Sequence, residues 1–254
     1  NDEGECWDSQ KVDSDNSIQV FYDGAPLESA KTYYWKVKVW DNKGKESAWS
    51  DIAHWKMGLL LPANWGGARW IAFQDVAEEK RVVPGIHFGG PDELGDMKNV
   101  LPYFRKAFEV RKGLKSATAY VSGLGHFEMS LNGKKVGNHF LDPGWTNYDK
   151  YALYLAFDVL PYLEKGENIC GIMLGNGFYH TPRERYRKCT VSYGAPKTIC
   201  KILLEYSDGT KEEVVTDESW KCTPSPIVFS SIFGGEDYDA SLAQKGWNTS
   251  DFDD

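Results

Sequence analysis

The chain has 254 residues, a formal net charge of −8 and an aromatic content of 14%, with ten tryptophans. This length favours two domains, or one domain and part of another. The negative charge disfavours nucleic acid as a partner, because phosphate binding depends on clustered Lys and Arg, and only residues 183–188 are locally basic. No apolar run approaches the roughly 18 to 20 residues that span a bilayer, so we expect no membrane span.

The cysteines and histidines lack the spacings that bind metals or activate a nucleophile. The odd number of cysteines contains no C-x-x-C pair, and the histidines form no H-x-x-H or H-E-x-x-H pattern. We therefore expect no cofactor, no bound metal, mostly reduced thiols, and solvated or capping histidines. Two thiols, in apolar stretches, are expected to be buried as small hydrophobes: Cys170 and Cys200. The others are Cys6, Cys189, Cys222, His54, His87, His126, His139 and His180.

The first 57 residues carry the pattern of a strand followed by a turn and a second strand. Residues 33–40 alternate between apolar and polar side chains, so Trp35, Val37 and Val39 are predicted to form a buried face. The chain then turns, and residues 47–56 supply the next strand. This is the last hairpin of a fibronectin-type or immunoglobulin-like sandwich.

The domain organisation is predicted from the length of the first segment and from the positions of Gly and Pro residues. A complete sandwich of that class needs about 100 residues, so residues 1–57 are predicted to be its C-terminal half, and we expect the chain to be truncated. Residues 58–64 are predicted to be a linker, and residues 65–254 a second β-domain. Its Gly- and Pro-rich stretch, residues 82–102, is predicted to be a long surface loop.

Short strand-like runs with turn signals between them recur throughout the second segment. This spacing is typical of a sandwich rather than of alternating strands and helices. The fold class predicted for the chain is therefore all-β, with a partial immunoglobulin-like sandwich followed by a jelly roll of the galactose-binding type. The predicted strands of the second segment are 103–110, 117–122, 127–131, 134–136, 154–158, 168–174, 200–206, 212–216 and 227–231.

Two dipeptides predict tight hairpins in this segment. Asn132-Gly133 occupies a two-residue connection, where a type I′ turn requires positive φ at both central positions. Asp208-Gly209 gives a second, more loosely spaced signal.

Several short motifs occur together in a fixed order. This set resembles the N-terminal β-sandwich domain of bacterial α-L-rhamnosidases, which are enzymes of glycoside hydrolase family 78, and the first 57 residues resemble the fibronectin-like domain before it. One position departs from the family pattern, because Ser241 replaces the usual Arg. The motifs are L-N-G-K-K-V-G at 131–137, L-D-P-G-W-T-N-Y at 141–148, F-D-V at 157–159, G-E-N at 166–168, L-G-N-G-F-Y at 174–179, S-W-K at 219–221, G-E-D-Y-D-A at 235–240 and G-W at 246–247.

The resemblance implies a parent enzyme that hydrolyses terminal α-L-rhamnosides with inversion in an (α/α)6 barrel. The acidic catalytic residues of the family lie downstream of this module, so no catalytic residue is assigned here. The expected partner is that barrel in the same chain, and rhamnose-containing glycans are a second expected partner. The resemblance also implies a periplasmic or extracellular location in a bacterium.

Five residues are candidates for carbohydrate binding. Trp145 follows a Pro-Gly turn and offers a flat ring for a sugar, with Asn147 and Tyr148 beside it; packing of the indole over the sandwich edge is the favoured alternative. Asn176 and Tyr179 lie after a predicted strand among glycines, which suit either a sugar site on the rim or simple loop formation. Both interpretations stay open.

A calcium site and a carboxylate pair receive less support. Some related sandwich domains bind rhamnose through calcium with an Asp-Asn pair on the loop that here reads Gly-Leu-Gly-His at 123–126, where oxygen ligands are lacking. Asp142 and Asp149 are possible oxygen donors elsewhere. The acidic residues in 236–239 are expected to be solvated turn residues rather than a glycosidase pair.

Two hypotheses for function therefore stand. The first is a non-catalytic accessory region of an α-L-rhamnosidase-like hydrolase, which braces the catalytic barrel and contacts glycan. The alternative is a protein-interaction or adhesion module without an enzymatic parent, because sandwich domains serve many unrelated contacts.

Overall fold

The computed structural model describes residues 4–74, the backbone of 82–85, and residues 100–182, 185 and 190–253. The chain divides into two compact units, Asn1–Trp65 and Gly66–Asp254. No helix in this described part is long and apolar enough to cross a membrane. The strands are β1 (Thr32–Trp35), β2 (Ala53–Lys56), β3 (Ile71–Ala72), β4 (Val82–Gly85), β5 (Pro102–Val110), β6 (Leu114–Leu124), β7 (His126–Leu131), β8 (Lys134–Lys135), β9 (Leu155–Asp158), β10 (Gly166–Gly175), β11 (His180–Thr181), β12 (Thr190–Ser192), β13 (Lys197–Tyr206), β14 (Lys211–Val215), β15 (Lys221–Pro224), β16 (Ile227–Ser231) and β17 (Gly235–Tyr238), and short 3-10 helices occupy Pro62–Trp65, Leu160–Tyr162 and Ala240–Leu242.

The first unit contains the predicted hairpin. Strands β1 and β2 pair antiparallel, with Tyr33 opposite Trp55. Their rings stack at a centroid separation of 5.9 Å. The intervening turn is closed by Asp41, whose Oδ1 accepts from the backbone N–H groups of Lys43 and Lys45, both at 2.9 Å.

The predicted buried face of this hairpin is wrong. Trp35, Val37 and Val39 are 47%, 48% and 63% exposed, whereas Tyr33, two residues before Trp35 and on the same face of β1, is buried. Alternation of side chains predicts which residues share a face but not how far along the strand that face is covered. Within the described residues of this unit, no second sheet covers Trp35.

The second unit is a sandwich of two antiparallel sheets, which confirms the predicted all-β fold. The front sheet has the strand order β15-β5-β10-β7-β8, and the back sheet has the order β14-β13-β6-β9, with β3 paired to β13. Alternate residues of both sheets, such as Phe104, Ile172, Val121, Ile202 and Leu204, fill the core between them.

The strands predicted in the second segment are confirmed within a few residues of their ends. Most are longer than predicted, since β6, β10 and β13 each extend past the apolar run that signalled them. The predicted loop over 82–102 is partly wrong, because β4 lies within it and pairs with β12. Residues 86–99 of that loop lie outside the described residues.

The predicted Asn-Gly hairpin joins β7 to β8. Asn132 and Gly133 have φ values of +50° and +78°, the sign that the predicted turn needs. The Asn132 side chain also forms hydrogen bonds outside the hairpin. Its Nδ2 donates to Asn168 Oδ1 at 2.8 Å, and its Oδ1 accepts from the Ile169 backbone N–H at 2.8 Å.

Asn168 is fully buried and uses both ends of its amide. Its Nδ2 donates to the carbonyl oxygens of Glu164 and Gly166 at 2.7 and 2.9 Å. Its Oδ1 accepts from the Glu164 backbone N–H at 2.9 Å as well as from Asn132. The two asparagines thus tie the β7–β8 hairpin to the turn that precedes β10.

The last residues of the chain cross the outer face of the front sheet. The Trp247 ring stacks on Tyr103 with centroids 3.9 Å apart and an angle of 4° between the planes. It passes over Gly171, where a Cβ atom would lie 2.8 Å from the indole. Arg105 holds the same segment by donating from Nε to the Trp247 carbonyl at 2.9 Å. The glycine is therefore required by close packing.

Two of the thiols are buried in the core, as the apolar runs around them predicted, and the structure brings them into contact. Cys170 of β10 and Cys200 of β13 are both buried and free, whereas Cys6 and Cys222 are free and exposed. The hydrogen bond between the two buried thiols, together with burial, raises the pKa of Cys170 well above its usual value. Cys189 lies outside the described residues.

Substitution of Asn168 by Ala is expected to lower the free energy of unfolding by about 2 to 4 kcal/mol, because it leaves part-buried backbone groups of Glu164 and the Asn132 amide without their partner. Urea denaturation of the two proteins measures the difference. Asn138 is exposed, so Asn138→Ala is the matched control and should change stability by less than about 0.5 kcal/mol. Equal midpoints for all three proteins would show that the asparagine network contributes little.

Candidate functional site

Three aromatic side chains form an exposed cluster at one rim of the sandwich, which we call the rim triplet: Trp145, Phe178 and Phe233. The Trp145 ring stacks on Phe178 with centroids 4.7 Å apart and planes inclined by 23°. Phe178 meets Phe233 edge to face at 5.9 Å. Trp145 is 67% exposed and Phe233 is 44% exposed, so the outer surface of the triplet faces solvent.

The position of Trp145 differs from the packing role that the sequence favoured. One face of the indole lies on Phe178, but most of the side chain is not covered by the sandwich. The chain enters this position through the cis peptide bond between Asp142 and Pro143. Within the described residues, Trp145 is thus a surface feature rather than an anchor of its loop.

A second aromatic group lies beneath the same loop. Tyr148 meets Tyr179 and Tyr193 edge to face at centroid distances of 5.3 and 5.4 Å. Tyr179 stacks on Tyr193 at 5.6 Å and donates from its hydroxyl to the Tyr193 carbonyl at 3.1 Å. Tyr179 is buried and Tyr148 is partly buried. These rings hold the loop against β11 and β12.

The two asparagine candidates are placed differently from each other. Asn176 is buried and its Nδ2 donates to the Ser230 carbonyl at 2.8 Å, which ties the end of β10 to β16. Asn147 is exposed, and its Oδ1 accepts from the Asp149 backbone N–H at 3.1 Å. Among the five predicted candidates, Trp145, Asn147 and Tyr148 reach the surface.

The loop tested for calcium ligands is a tight connection. Gly125, with φ of +105°, joins β6 to β7, and a Cβ atom there would lie 2.3 Å from the Gly175 carbonyl oxygen. Within the described ranges, no group of three or more His, Cys, Asp or Glu residues has the geometry to hold a metal ion.

Two of the three acidic residues of 236–239, Asp237 and Asp239, are held by other contacts. Asp237 forms an ion pair with Arg185. Asp239 begins a 3-10 helix, and its Oδ1 accepts from the Ser241 hydroxyl at 2.6 Å and the Ser241 backbone N–H at 2.9 Å. These bonds lower the pKa of Asp239, so this carboxyl group is ionised and unsuited to a general acid.

The histidines do not all have the solvated or capping roles that were predicted. His54 and His139 are exposed, but His180 is fully buried, with its Nδ1 2.9 Å from the Ser192 hydroxyl oxygen. His126 packs its ring against Gly177, where a Cβ atom would lie 3.0 Å from the imidazole. His87 lies outside the described residues.

Phe178 and Phe233 were not predicted as members of a site. Phe178 lies inside the L-G-N-G-F-Y motif, whose Asn and Tyr attracted attention instead. Phe233 lies in the turn between β16 and β17, and no sequence signal connects that turn with Trp145. The contact between Phe178 and Phe233 forms because β16 lies beside the end of β10, and no local sequence pattern predicts that arrangement.

Models of two families match the two parts of the chain. Residues 112–254 match the α-L-rhamnosidase N-terminal domain. The chain belongs to this family. Residues 1–61 match the Rha78A-like, N-terminal immunoglobulin domain. The resemblance read from the motifs is confirmed, because the chain matches the N-terminal region of α-L-rhamnosidases.

The α-L-rhamnosidases that match this chain are much longer than it. An α-L-rhamnosidase of Formosa agariphila is 40% identical over 256 residues, which cover 98% of this chain and 27% of that protein. The solved α-L-rhamnosidase of Dictyoglumus thermophilum is 38% identical with a TM-score of 0.82 and covers 99% of this chain and 27% of its own. The solved native α-L-rhamnosidase of Aspergillus terreus is 29% identical with a TM-score of 0.79, and the match covers 95% of this chain and 26% of that chain. The chain thus spans about a quarter of these relatives.

A pH titration tests the environment of His126. Burial lowers its pKa from 6.5, and the Asp142 carboxylate opposes this shift more weakly. As the pH falls below 6.5, His126 becomes protonated in the unfolded chain, whereas in the folded chain it stays neutral until the pH reaches its lowered pKa. The folded state therefore loses stability as the pH falls from 6.5 toward that lowered pKa.

We expect the melting temperature to decline over this window, and we expect His126→Gln to reduce the decline. Circular dichroism between about pH 8 and pH 5 measures it. His54→Gln changes an exposed histidine and serves as the control, whose profile should follow that of the unmodified chain. A His126→Gln profile with the same slope as the control would contradict the buried, neutral imidazole.

Proposed function

We propose that the second unit is a non-catalytic accessory domain of an α-L-rhamnosidase, and that the rim triplet is the face on which the catalytic domain of the same enzyme docks. The observation that carries this proposal is the exposure of stacked aromatic rings at one rim. If no other domain covered this rim, the apolar rings of Trp145 and Phe233 would stay exposed to water, which is unfavourable in free energy.

The length of the relatives supports a partner within the same enzyme. The matched relatives continue for about three times the length of this chain, so a large part of each lies outside the matched region. Aromatic residues, Trp above all, are enriched where two protein surfaces bury a contact. The flanking Leu141, Tyr151 and Leu153 are also exposed, at 66%, 59% and 45%, and extend the apolar surface along the same loop.

Catalysis is assigned to the remainder of the enzyme. In this chain Asp237 is engaged by Arg185, and the pKa of Asp239 is lowered by its bonds with Ser241. The Asp239 carboxyl group therefore lacks the raised pKa of a general acid.

The docking role predicts an effect of Trp145→Ala on association of this chain with the separately produced catalytic domain. The affinity is expected to fall about 30-fold, equivalent to about 2 kcal/mol, because a central Trp is a typical hot spot. Isothermal titration calorimetry measures the change. Tyr34→Ala removes an aromatic ring of similar exposure, 70%, from the first unit and should leave the affinity nearly unchanged.

An equal loss for both variants, or no loss for either, would remove the rim triplet from the interface. Because Trp145 is largely exposed, its replacement should not change the fold of the isolated chain. Circular dichroism of the variant provides that check.

A second expectation concerns activity. The purified 254-residue chain should release no nitrophenol from an aryl α-L-rhamnoside, whereas the complete enzyme should. Absorbance of the released phenolate measures both. Turnover by the isolated chain, retained after repeated purification, would contradict a non-catalytic role.

Direct contact with glycan is a second candidate role, favoured by the open outer face of the Trp145 indole. A flat exposed ring packs well against the C–H face of a pyranose. Calorimetric titration of L-rhamnose and rhamnosylated oligosaccharides, with and without calcium, distinguishes this role from docking. Absence of heat at millimolar sugar would leave docking alone.

A further inference from the structure

The Asn132-Gly133 turn is also a place where the chain can modify itself chemically. In an Asn-Gly dipeptide the glycine backbone nitrogen can attack the side-chain amide carbon of the asparagine, because glycine has no side chain that hinders the approach. The sequence contains two such dipeptides, Asn132-Gly133 and Asn176-Gly177. They follow the paired strands β7 and β10 at opposite ends of the ladder, so the chain offers two sites of equal sequence for comparison.

The reaction at Asn132 is a deamidation and consumes only water. The Gly133 nitrogen loses its proton and forms a bond to Asn132 Cγ, while the bond from Cγ to Nδ2 breaks and ammonia leaves with that proton. Water then opens the resulting cyclic imide at either of its carbonyl groups. The products are aspartate or isoaspartate at this position, and each adds one negative charge.

The fold holds the reacting amide of Asn132 at both of its ends. Its Nδ2 donates to the Tyr162 carbonyl at 3.0 Å and to Asn168 Oδ1 at 2.8 Å. Its Oδ1 accepts from the Ile169 backbone N–H at 2.8 Å. We call these hydrogen bonds the Asn132 network. Attack by Gly133 changes the planar amide carbon to a tetrahedral one and moves its nitrogen and oxygen, so the network opposes the reaction.

Asn168 is the member of the network that a substitution can remove. Tyr162 and Ile169 contribute backbone groups, whereas Asn168 contributes its side-chain oxygen. The Asn168 side chain is fully buried, and its own amide nitrogen is bound by carbonyl groups of the turn before β10. Its oxygen therefore keeps a fixed position toward Asn132 Nδ2.

The product of deamidation would be unable to rebuild the network. Aspartate at position 132 has no N–H group to donate, whereas the Tyr162 carbonyl and Asn168 Oδ1 that face it are both acceptors. Its negative charge would approach oxygen atoms that carry partial negative charge. Isoaspartate also lengthens the backbone of a turn in which Asn132 and Gly133 both have positive φ. A modified chain would thus hold the β7–β8 hairpin less firmly.

The second dipeptide is held by other contacts. Asn176 is buried, and its Nδ2 donates to the Ser230 carbonyl at 2.8 Å. It lies beyond the end of β10 that is remote from Asn168. Removal of the Asn168 side chain therefore affects the amide of Asn132 directly and that of Asn176 only through global stability.

We propose that Asn132 is a site of spontaneous deamidation, which the folded chain suppresses through the Asn132 network. Local opening of the β7–β8 hairpin, rather than unfolding of the whole chain, sets the rate. This chemistry needs only the second unit and does not rest on the accessory role, so a failure of docking leaves it unaffected.

Peptide mapping by mass spectrometry after incubation of the 254-residue chain at mildly alkaline pH tests the proposal. Deamidation at Asn132 should be at least about tenfold slower in the native chain than in the urea-unfolded chain. Asn168→Ala should raise the native rate at Asn132 at least about tenfold, because the opened population grows exponentially with the free energy lost from the network. The rate at Asn176 in the same sample should stay unchanged.

Asn138→Ala, at an exposed position, is the matched control and should change neither rate. If Asn168→Ala fails to fold, hydrogen exchange of the Ile169 amide in the unmodified chain applies the same test. This amide donates to Asn132 Oδ1, so one opening releases both groups. Its exchange and the deamidation of Asn132 should respond equally to low concentrations of urea.

Equal rates at Asn132 in the native and unfolded chains would overturn the proposal, and so would an unchanged rate in a folded Asn168→Ala variant. Equal acceleration at Asn132 and Asn176 would assign the effect to global stability and would also reject it. Deamidation that follows global unfolding, while exchange of the Ile169 amide follows a smaller opening, would contradict control by the hairpin.

Discussion

The hydrogen bonds between Asn132 and Asn168 set the register on which the rest of the sandwich depends. They join the β7–β8 hairpin to the turn before β10 at one end of the front sheet. From there the pairing of β7 with β10 runs without a break to His126 opposite Gly175. A slip by one residue would turn every core side chain of β7 outward. The amide pair therefore positions the loops at the far end, where the candidate sites lie.

The far end of these strands supports two surfaces of different chemistry. The segment from 138 to 145 contributes Asp142 to a small polar cleft that also contains Glu128, and then presents Trp145 to the rim triplet. Buried Asn176 and the tyrosines around Tyr179 hold the opposite side of the same rim. Exposed aromatic rings suit a protein interface, whereas oriented carboxylates around a small volume suit hydroxyl groups.

Much of the fold was predictable because its signals are local. Short apolar runs over 117–122 and 200–206 mark strands that lie inside β6 and β13, and the Asn-Gly dipeptide marks the β7–β8 turn. The candidate site was predicted less completely. Trp145 was recognised as a candidate, but packing of its indole over the sandwich edge was favoured, and Phe233 gave no signal. Burial of a side chain depends on which distant segment covers it, and a local pattern contains no such information.

The sequence by itself determined the all-β class, the positions of most strands of the second unit and the family, because turn dipeptides, side-chain alternation and ordered motifs are properties of short segments. Only the tertiary structure decided that Trp35 and Trp145 are exposed, that Asn176 and His180 are buried, and that Asp142, Glu128 and His126 meet in one cleft. These outcomes require strands far apart in the chain to pair and pack, and the solvent exposure of a side chain is set by that packing rather than by its neighbours in sequence.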